Sequence, residues 1–389
     1  MITLQEFEGR PGIRQVQSAL DAFLKDRPRL QKLCRYAQGQ HDILARTRPH
    51  NLPNARLPHG FPKYIAEMSA GYLLGDGVRY TAAKDEEGAR NYADLLNKAG
   101  DDSLDMDLAM QQGVYGRGVS LCWQDAHLHV SALDPQNAFV VYDDTARKKP
   151  LMGILLSFAP RGDTMTTVYT DRDILTFLSN NPGNVGRMTS AIPHDLGRVP
   201  MVEFFNNAGA RGDFEDVLPL VDAYDLLASD RLNDRGQFAD AMLVLTGVGG
   251  LGTQGEPDDR QEAARLLRQE RTLSLPDAQA KAEWLVKNAN EKDIDVLRKA
   301  LADDIHKFSM TPNLAPDGMG GDFSAIAIRY RLFALEQKTR IKERWFIQGL
   351  RQQARLLCAY LAAQGIKAPD PEGMGIMMNR PKICEAPNR

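Results

Sequence analysis

Cysteine is scarce in this sequence: Cys34, Cys122, Cys358 and Cys384 are four residues in 389, scattered without a CxxC or any other ligand spacing. That argues against a zinc or disulfide scaffold and suits a reducing compartment. No apolar run approaches the roughly 18 residues that cross a bilayer. The opening stretch "MITLQEFEGRPG" carries acidic residues and no apolar core, so no membrane contact is expected and the chain is expected to stay in the cytosol, or in something assembled there. An excess of one charge is also missing. With 48 basic and 51 acidic residues the formal charge is −3, so composition offers no general attraction for nucleic acid and any DNA contact is local or transient. There is no internal repeat, no low-complexity tract, no nucleophile elbow, no G-x-G-x-x-G in strand context and no H-E-x-x-H.

What is present is a chain long enough for two or three domains, with 43% hydrophobic residues to fill their cores. Residues 12–37 carry apolar positions at Ile13, Val16, Leu20, Phe23, Leu24 and Leu30, an amphipathic helix with Pro28 as an expected kink. Residues 38–60 are turn-rich and basic. They lead into a second helix with Pro62 in its first turn and Gly75 at its stop, followed by the alternating strand "VRYTA". Two short helices are read at 85–99 and 102–115. From there to about 205 the period is two, in "GVSLCW", "LHVSAL", "AFVVYDD", "MGILLSF", "TMTTVYT", "ILTFLS" and "PMVEFF". This predicts a mostly antiparallel sheet region and makes the first half α+β.

At 212 the period becomes helical again. Residues 213–240 hold eight acidic side chains, Asp222, Asp225, Asp230 and Asp234 among them, against two basic ones, a net of −6. Residues 241–288 read as a small strand, helix, strand, strand module between two helices. Its basic helix, around 259–271, carries Arg260, Arg265, Arg268 and Arg271. Arginines at that spacing meet phosphates or an acidic partner, or form an ordinary solvated face. Helix resumes at 290–308. After the loop "SMTPNLAPDGMGGDFSAIA" (309–327), a proline-free helical pattern runs from about 323 to 363, with Gly349 as a place to bend.

The loop has two carboxylates, Asp317 and Asp322, and no His, Cys, Lys or Arg. It lacks the regular oxygen ligands of a calcium loop and the Lys of a phosphate loop, so it reads as a connector more readily than as a site. His127 and His129 form an H-x-H on an expected strand, which would put both on one face as metal ligands can be. No third ligand stands at an informative spacing, and an exposed pair on a hairpin is the plainer reading. Asp143 and Asp144 read as a strand end entering a turn, not as an acid/base pair.

Several strings, in order, resemble the portal protein family of tailed double-stranded DNA bacteriophages, of siphophage type: "YAQGQHDIL" (36–44), "HGFPKYIAEMSAGYLLGDGVRY" (59–80), "LGRVPMVEFFNN" (196–207), "GDFEDVLPLVDAYDLLASDRLND" (212–234), "FADAMLVLTG" (238–247) and "SAIAIRYRLFALEQKTRIKERWF" (324–346). The resemblance covers roughly residues 30 to 365. It implies a portal fold in which an α/β wing (1–211) precedes a stem helix (212–239), a small α/β clip (240–288) and a second stem helix (289–308). A tunnel loop (309–323), a long helix running radially back to the wing (324–365) and a short or truncated crown region (366–389) complete it.

The implied function is a homo-oligomeric ring, usually of about twelve copies, at one capsid vertex. It is the channel for genome packaging and ejection, docking the large terminase ATPase and later the head–tail adaptor, with major capsid and scaffolding proteins as further partners. The location implied is the virion, and the host cytoplasm during assembly. Neither catalysis nor a cofactor is implied. The tunnel-loop residues would be Thr311, Pro312, Asn313, Asp317, Gly318, Met319, Gly320, Gly321 and Asp322, with Met319 closest to passing DNA. The four clip arginines would meet a partner. The acidic stem would make channel walls that repel a polyanion, so that DNA slides. Two other readings are a different capsid connector or adaptor, and a metal-dependent phosphoesterase built on His127 and His129.

Overall fold

The computed structural model describes residues 1–7, 9–49, 52–75, 77–82, 85–100, 103–158, 163–238, 242–246, 281–285, 291–314 and 325–380. Within them the chain divides into two compact units. One contains residues 1–41, 58–222 and 301–389, and the other residues 42–57 and 223–300. The sequence reading kept 42–57 with the first 211 residues; the contacts place it with 223–300.

In the larger unit, α1 (Ile13–Ala37) is one continuous helix that contains Pro28. Its apolar stripe settles the matter: Val16, Ala19, Leu20, Phe23 and Leu30 are all buried against one sheet, so packing holds the helix through the proline. That sheet has six strands, β1 (Ile2–Leu4), β5 (Ala138–Asp143), β6 (Pro150–Phe158), β7 (Thr164–Tyr169), β8 (Asp173–Ser179) and β9 (Arg187–Pro193), adjacent in that order. Every pairing is antiparallel except β1 with β5. Phe23 of α1 stacks on Phe139 of β5 with ring centroids 4.2 Å apart. The strands β1 and β9 were not read from the sequence. The first is only three residues long, and the second exposes most of its side chains, so neither shows a clear apolar alternation.

A second sheet joins β10 (Met201–Phe205), β3 (Arg117–Gln124) and β4 (Leu128–Leu133), all antiparallel. The helices α2 (Phe61–Leu74), α3 (Glu86–Ala99) and α4 (Leu104–Tyr115) flank it. A third, two-stranded sheet pairs β2 (Val78–Thr81) with the late strand β13 (Gly375–Met378), so residues nearly the whole chain apart close one core. Gly116 ends α4 with φ of +81°, and a β-carbon there would collide with the carbonyl of Ala210. Only glycine meets both demands.

In the smaller unit, β11 (Met242–Thr246) and β12 (Lys281–Leu285) pair antiparallel. The rest of the predicted 241–288 module, including its basic helix, lies outside the described residues. Helix α5 (Leu218–Phe238) begins six residues after the expected start at 212, α6 (Glu291–Phe308) keeps close to the expected 290–308, and residues 223–238 of the one and 291–300 of the other belong to this unit. Within this unit they are bridged by an Arg231–Asp295 ion pair and by Arg298, which donates to the Tyr224 hydroxyl at 3.3 Å. The long helix α7 (Ala325–Ala363), in which the larger unit continues, spans 39 residues.

Candidate functional site: the root of the 309–323 loop

Helix α6 runs out at Phe308, and the next three residues fold its end closed. The amide of Met310 donates to the Lys307 carbonyl at 3.2 Å and that of Thr311 to the His306 carbonyl at 3.0 Å, with Met310 itself at φ of +55°. This is the Schellman arrangement with methionine in the left-handed position that glycine usually fills, at a cost of about 1–2 kcal/mol. The strain is held in place by what surrounds it.

Ser309 and Thr311 are buried. The Tyr64 hydroxyl of α2 donates to the Pro312 carbonyl at 2.8 Å. His306 Nδ1 lies 3.1 Å from the Thr311 carbonyl and so carries its proton on that nitrogen. The His306 ring meets Phe61 and Tyr64 edge-on, with centroids 5.7 and 5.9 Å apart. Burial lowers the pKa of His306 and raises that of Tyr64. These groups line an open apolar groove of about 450 Å³ with His59, Gly60, Asn313 and Leu314.

A buried ion cluster ties the root to the rest of the unit. Lys338 of α7 donates to the Ser309 carbonyl at 2.9 Å and lies 3.4 Å from the Asp213 carboxylate. One turn further along α7, Lys342 reaches Asp213 at 2.5 Å, and both of those side chains are 2% exposed. Asn206 adds a hydrogen bond to Asp213 at 3.1 Å. Burial pushes the Asp213 carboxyl up, but the two lysines and these hydrogen bonds outweigh it, leaving the group below its ordinary range. Lys338 is held below the usual lysine range by burial, against the pull of Asp213. The segment before α5, the end of α6 and the middle of α7 therefore meet at one charged centre at the base of the loop.

Of the expected loop residues, Thr311 and Pro312 are buried in this root and Asn313 is exposed beside it. Asp317, Gly318, Met319, Gly320, Gly321 and Asp322 lie outside the described residues, as do Arg260, Arg265, Arg268 and Arg271. The acidic helix looks different from its sequence. Asp222 accepts from the Tyr36 hydroxyl at 2.5 Å, Asp225 is fully buried, and Asp234 is half-buried. Asp230 is paired with Arg46 at 2.7 Å and with Arg48. With Asp213 beside its lysines, Glu215 beside Arg29 and Asp216 beside Arg211, at least four of the described acids in 213–240 have basic partners. The net of −6 is thus offset inside the fold by residues distant in sequence. Part of the basic, turn-rich stretch at 38–60 serves that end: it lies along α5, with Ala55 N–H donating to Asn233 at 2.6 Å and Leu57 N–H to Ser229 at 3.0 Å.

Of the H-x-H pair only His129 lies on the strand, so the two do not share one strand face. His127 sits in the turn before β4, not on the strand, and His129 stacks on Trp123 with centroids 4.3 Å apart. Among the described residues no cluster of three or more His, Cys, Asp or Glu could hold a metal. Asp143 closes β5 by accepting from Thr145 and from the Lys149 amide, as a strand end entering a turn. No helix among the described residues is long and apolar enough to cross a membrane.

A mixed α+β chain with long helices is the class of architecture in hand. Residues 17–376 match the family described as phage portal protein, SPP1 Gp6-like, and the chain belongs to that family. It is 22% identical over 359 residues to the portal protein of Bacillus phage SPP1, an alignment that takes in 82% of this chain and 65% of that protein. The chain therefore spans about two thirds of the length of the curated relative it matches. Similar solved structures include a chain from the virion of a native gene transfer agent particle, at 15% identity and a TM-score of 0.48, covering 93% of this chain and 85% of that one. Another, from the neck of the native particle computed with C12 symmetry, has 13% identity and a TM-score of 0.46, covering 92% and 85%.

Proposed function

We propose that copies of this chain close into a ring, of about twelve subunits by the family resemblance, that forms the channel for genome packaging and ejection at one capsid vertex. The observation that carries the reading is the family match over residues 17–376. In this reading 1–211 is the wing, 212–239 and 289–308 are the stem helices, 240–288 is the clip and 324–365 the long helix returning to the wing. The clip, through Arg260, Arg265, Arg268 and Arg271, docks the terminase motor and afterwards the head–tail adaptor.

The loop at 309–323 is the part that touches passing DNA, by shape and not by charge. The anchored root supports this assignment. A loop that bears on moving DNA needs a base that does not shift, and the Schellman turn, the Tyr64 bond and the Lys338–Asp213–Lys342 cluster supply one. The acids of 213–240 contribute less repulsion to a channel wall than their number suggests, since Asp213, Glu215 and Asp216 before α5 and Asp230 on it have basic partners.

Electron micrographs of the purified protein are expected to show rings with a central hole. A strict monomer at high concentration overturns the proposal, and rings that fail to recruit a packaging ATPase through 240–288 point to a connector instead. Replacing Gly318, Gly320 and Gly321 together by alanine is expected to impair packaging while leaving ring assembly intact. Unaltered packaging removes the mechanical role of the loop.

A further inference from the structure

The turn between β5 and β6 is built around one buried carboxylate. Asp143 accepts from the Thr145 hydroxyl at 2.9 Å and from the Lys149 amide at 3.0 Å, and the Thr145 hydroxyl in turn accepts from the Arg147 amide at 3.2 Å. Lys148 is held at φ of +50°, in the left-handed region that disfavours a side chain. Three consecutive cations, Arg147, Lys148 and Lys149, are thus presented on a fixed backbone.

The same three line a cavity of about 540 Å³, together with Arg198 from the turn before β10 and Arg355 of α7. Against these five cations the described lining has one carboxylate, Asp171, which lies 4.0 Å from Arg172. Two of the five are engaged, Lys149 with Glu6 at 3.0 Å and Arg355 with Glu372 at 2.6 Å. Arg147, Lys148 and Arg198 have no ion-pair partner among the described residues, although Asp144 and Asp195 stand in the same two turns. Arg147 and Arg198 are exposed, so their charges are within reach of a ligand. The rest of the lining is largely apolar, with Pro150 beside the buried Val199, Met201, Val202 and Leu356. The cations form the rim and these side chains the floor.

The chain itself shows what this turn accepts. Its N-terminal segment sets Glu6 on Lys149 and packs Phe7 against the core of the six-stranded sheet, a carboxylate and an apolar side chain in consecutive residues. We infer that the cavity docks an extended acidic segment of a partner protein, with carboxylates on Arg147, Lys148 and Arg198 and an apolar side chain on the floor. A DNA backbone would meet the cations through its phosphates but has nothing apolar to place on Val199, Met201 and Leu356. The volume suits one large side chain with its flanking backbone. The inference does not rest on the ring or on the channel.

Fluorescence anisotropy of the full chain with labelled acetyl-Glu-Glu-Leu-Phe-Glu-Glu-amide, at fixed ionic strength, tests it. Saturable binding of one peptide per chain is expected at sub-millimolar concentration. Replacing the glutamates of the peptide by glutamine should weaken binding about tenfold or more, and replacing its Leu-Phe by Glu-Glu should weaken it several-fold. Arg147→Gln combined with Arg198→Gln, at two exposed side chains, should also weaken binding about tenfold or more. Arg14→Gln, an exposed arginine on α1 outside the lining, should leave it unchanged. The inference is overturned by no saturable binding at millimolar peptide, by the glutamine or the all-glutamate peptide binding as well as the parent, or by the double variant binding no more weakly than Arg14→Gln. It is overturned equally by a short DNA duplex that displaces the peptide and binds more tightly.

Discussion

Asp213→Asn is expected to cost about 3–5 kcal/mol of folding stability, the usual loss when one partner of a buried ion pair is removed. The reason lies with the groups left behind. Lys342 is 2% and Lys338 12% exposed at the side chain, and without the carboxylate two ammonium groups face each other in a site with little water. Urea unfolding at neutral pH measures the loss, and a change below about 1 kcal/mol would mean that the cluster contributes no more than a surface pair. The acid limb of the wild-type stability profile has the same origin. Asp213 is held below its unfolded value of about 3.9, so its contribution is complete above that pH and is lost as pH falls through the lower, folded value. In Asp213→Asn this part of the acid dependence should vanish. Because Lys338 also holds the Ser309 carbonyl, the variant is expected to loosen the root of the loop as well, read as faster hydrogen exchange at Thr311.

Phe204→Ala is expected to cost about 3–5 kcal/mol, as for other buried aromatic truncations. Phe204 is fully buried in β10, its ring 5.1 Å from that of Phe346 on α7, and it fills the space that the missing side chain of Gly349 leaves on the same helix. A β-carbon at Gly349 would collide with the Phe204 ring. Gly349→Ala alone should therefore destabilise by about 1–3 kcal/mol through overpacking. In the Phe204→Ala background the ring is gone, and alanine should instead stabilise the helix by up to about 1 kcal/mol through its better propensity. The double-mutant cycle reads this reversal as a coupling. Equal costs for Gly349→Ala in both backgrounds would show that the two residues do not meet as described.

Gly349 illustrates what one sequence can and cannot say. Its presence in a long helical pattern was legible and suggested a bend; its reason is a close approach between α7 and β10, invisible without knowing which strand packs there. The acidic run of 213–240 was legible as a count, and its meaning changed once Arg46, Arg48, Arg29, Lys338 and Lys342 were found beside it. His127 and His129 looked equivalent at a two-residue spacing, which holds only if both lie on the strand, and the turn begins between them. No local pattern pointed to the charged centre at Asp213. Its members come from three segments, and the only trace of it in the sequence is two lysines four apart on one face of a helix.

By itself the sequence determined most of the described elements and their order. Period-two runs became β3 to β8 and β10, period-3.6 runs became the long helices, glycines and prolines marked the ends, and strings over much of the chain carried the family resemblance. These signals are local, because backbone geometry repeats every two or 3.6 residues and the side chains along one element must suit a single face. Only the tertiary structure decided which charges are neutralised, which glycine is a contact and where the loop is anchored. Each of those depends on groups far apart in sequence sharing a few ångströms of low-dielectric space, where a partner's presence or absence outweighs any local preference.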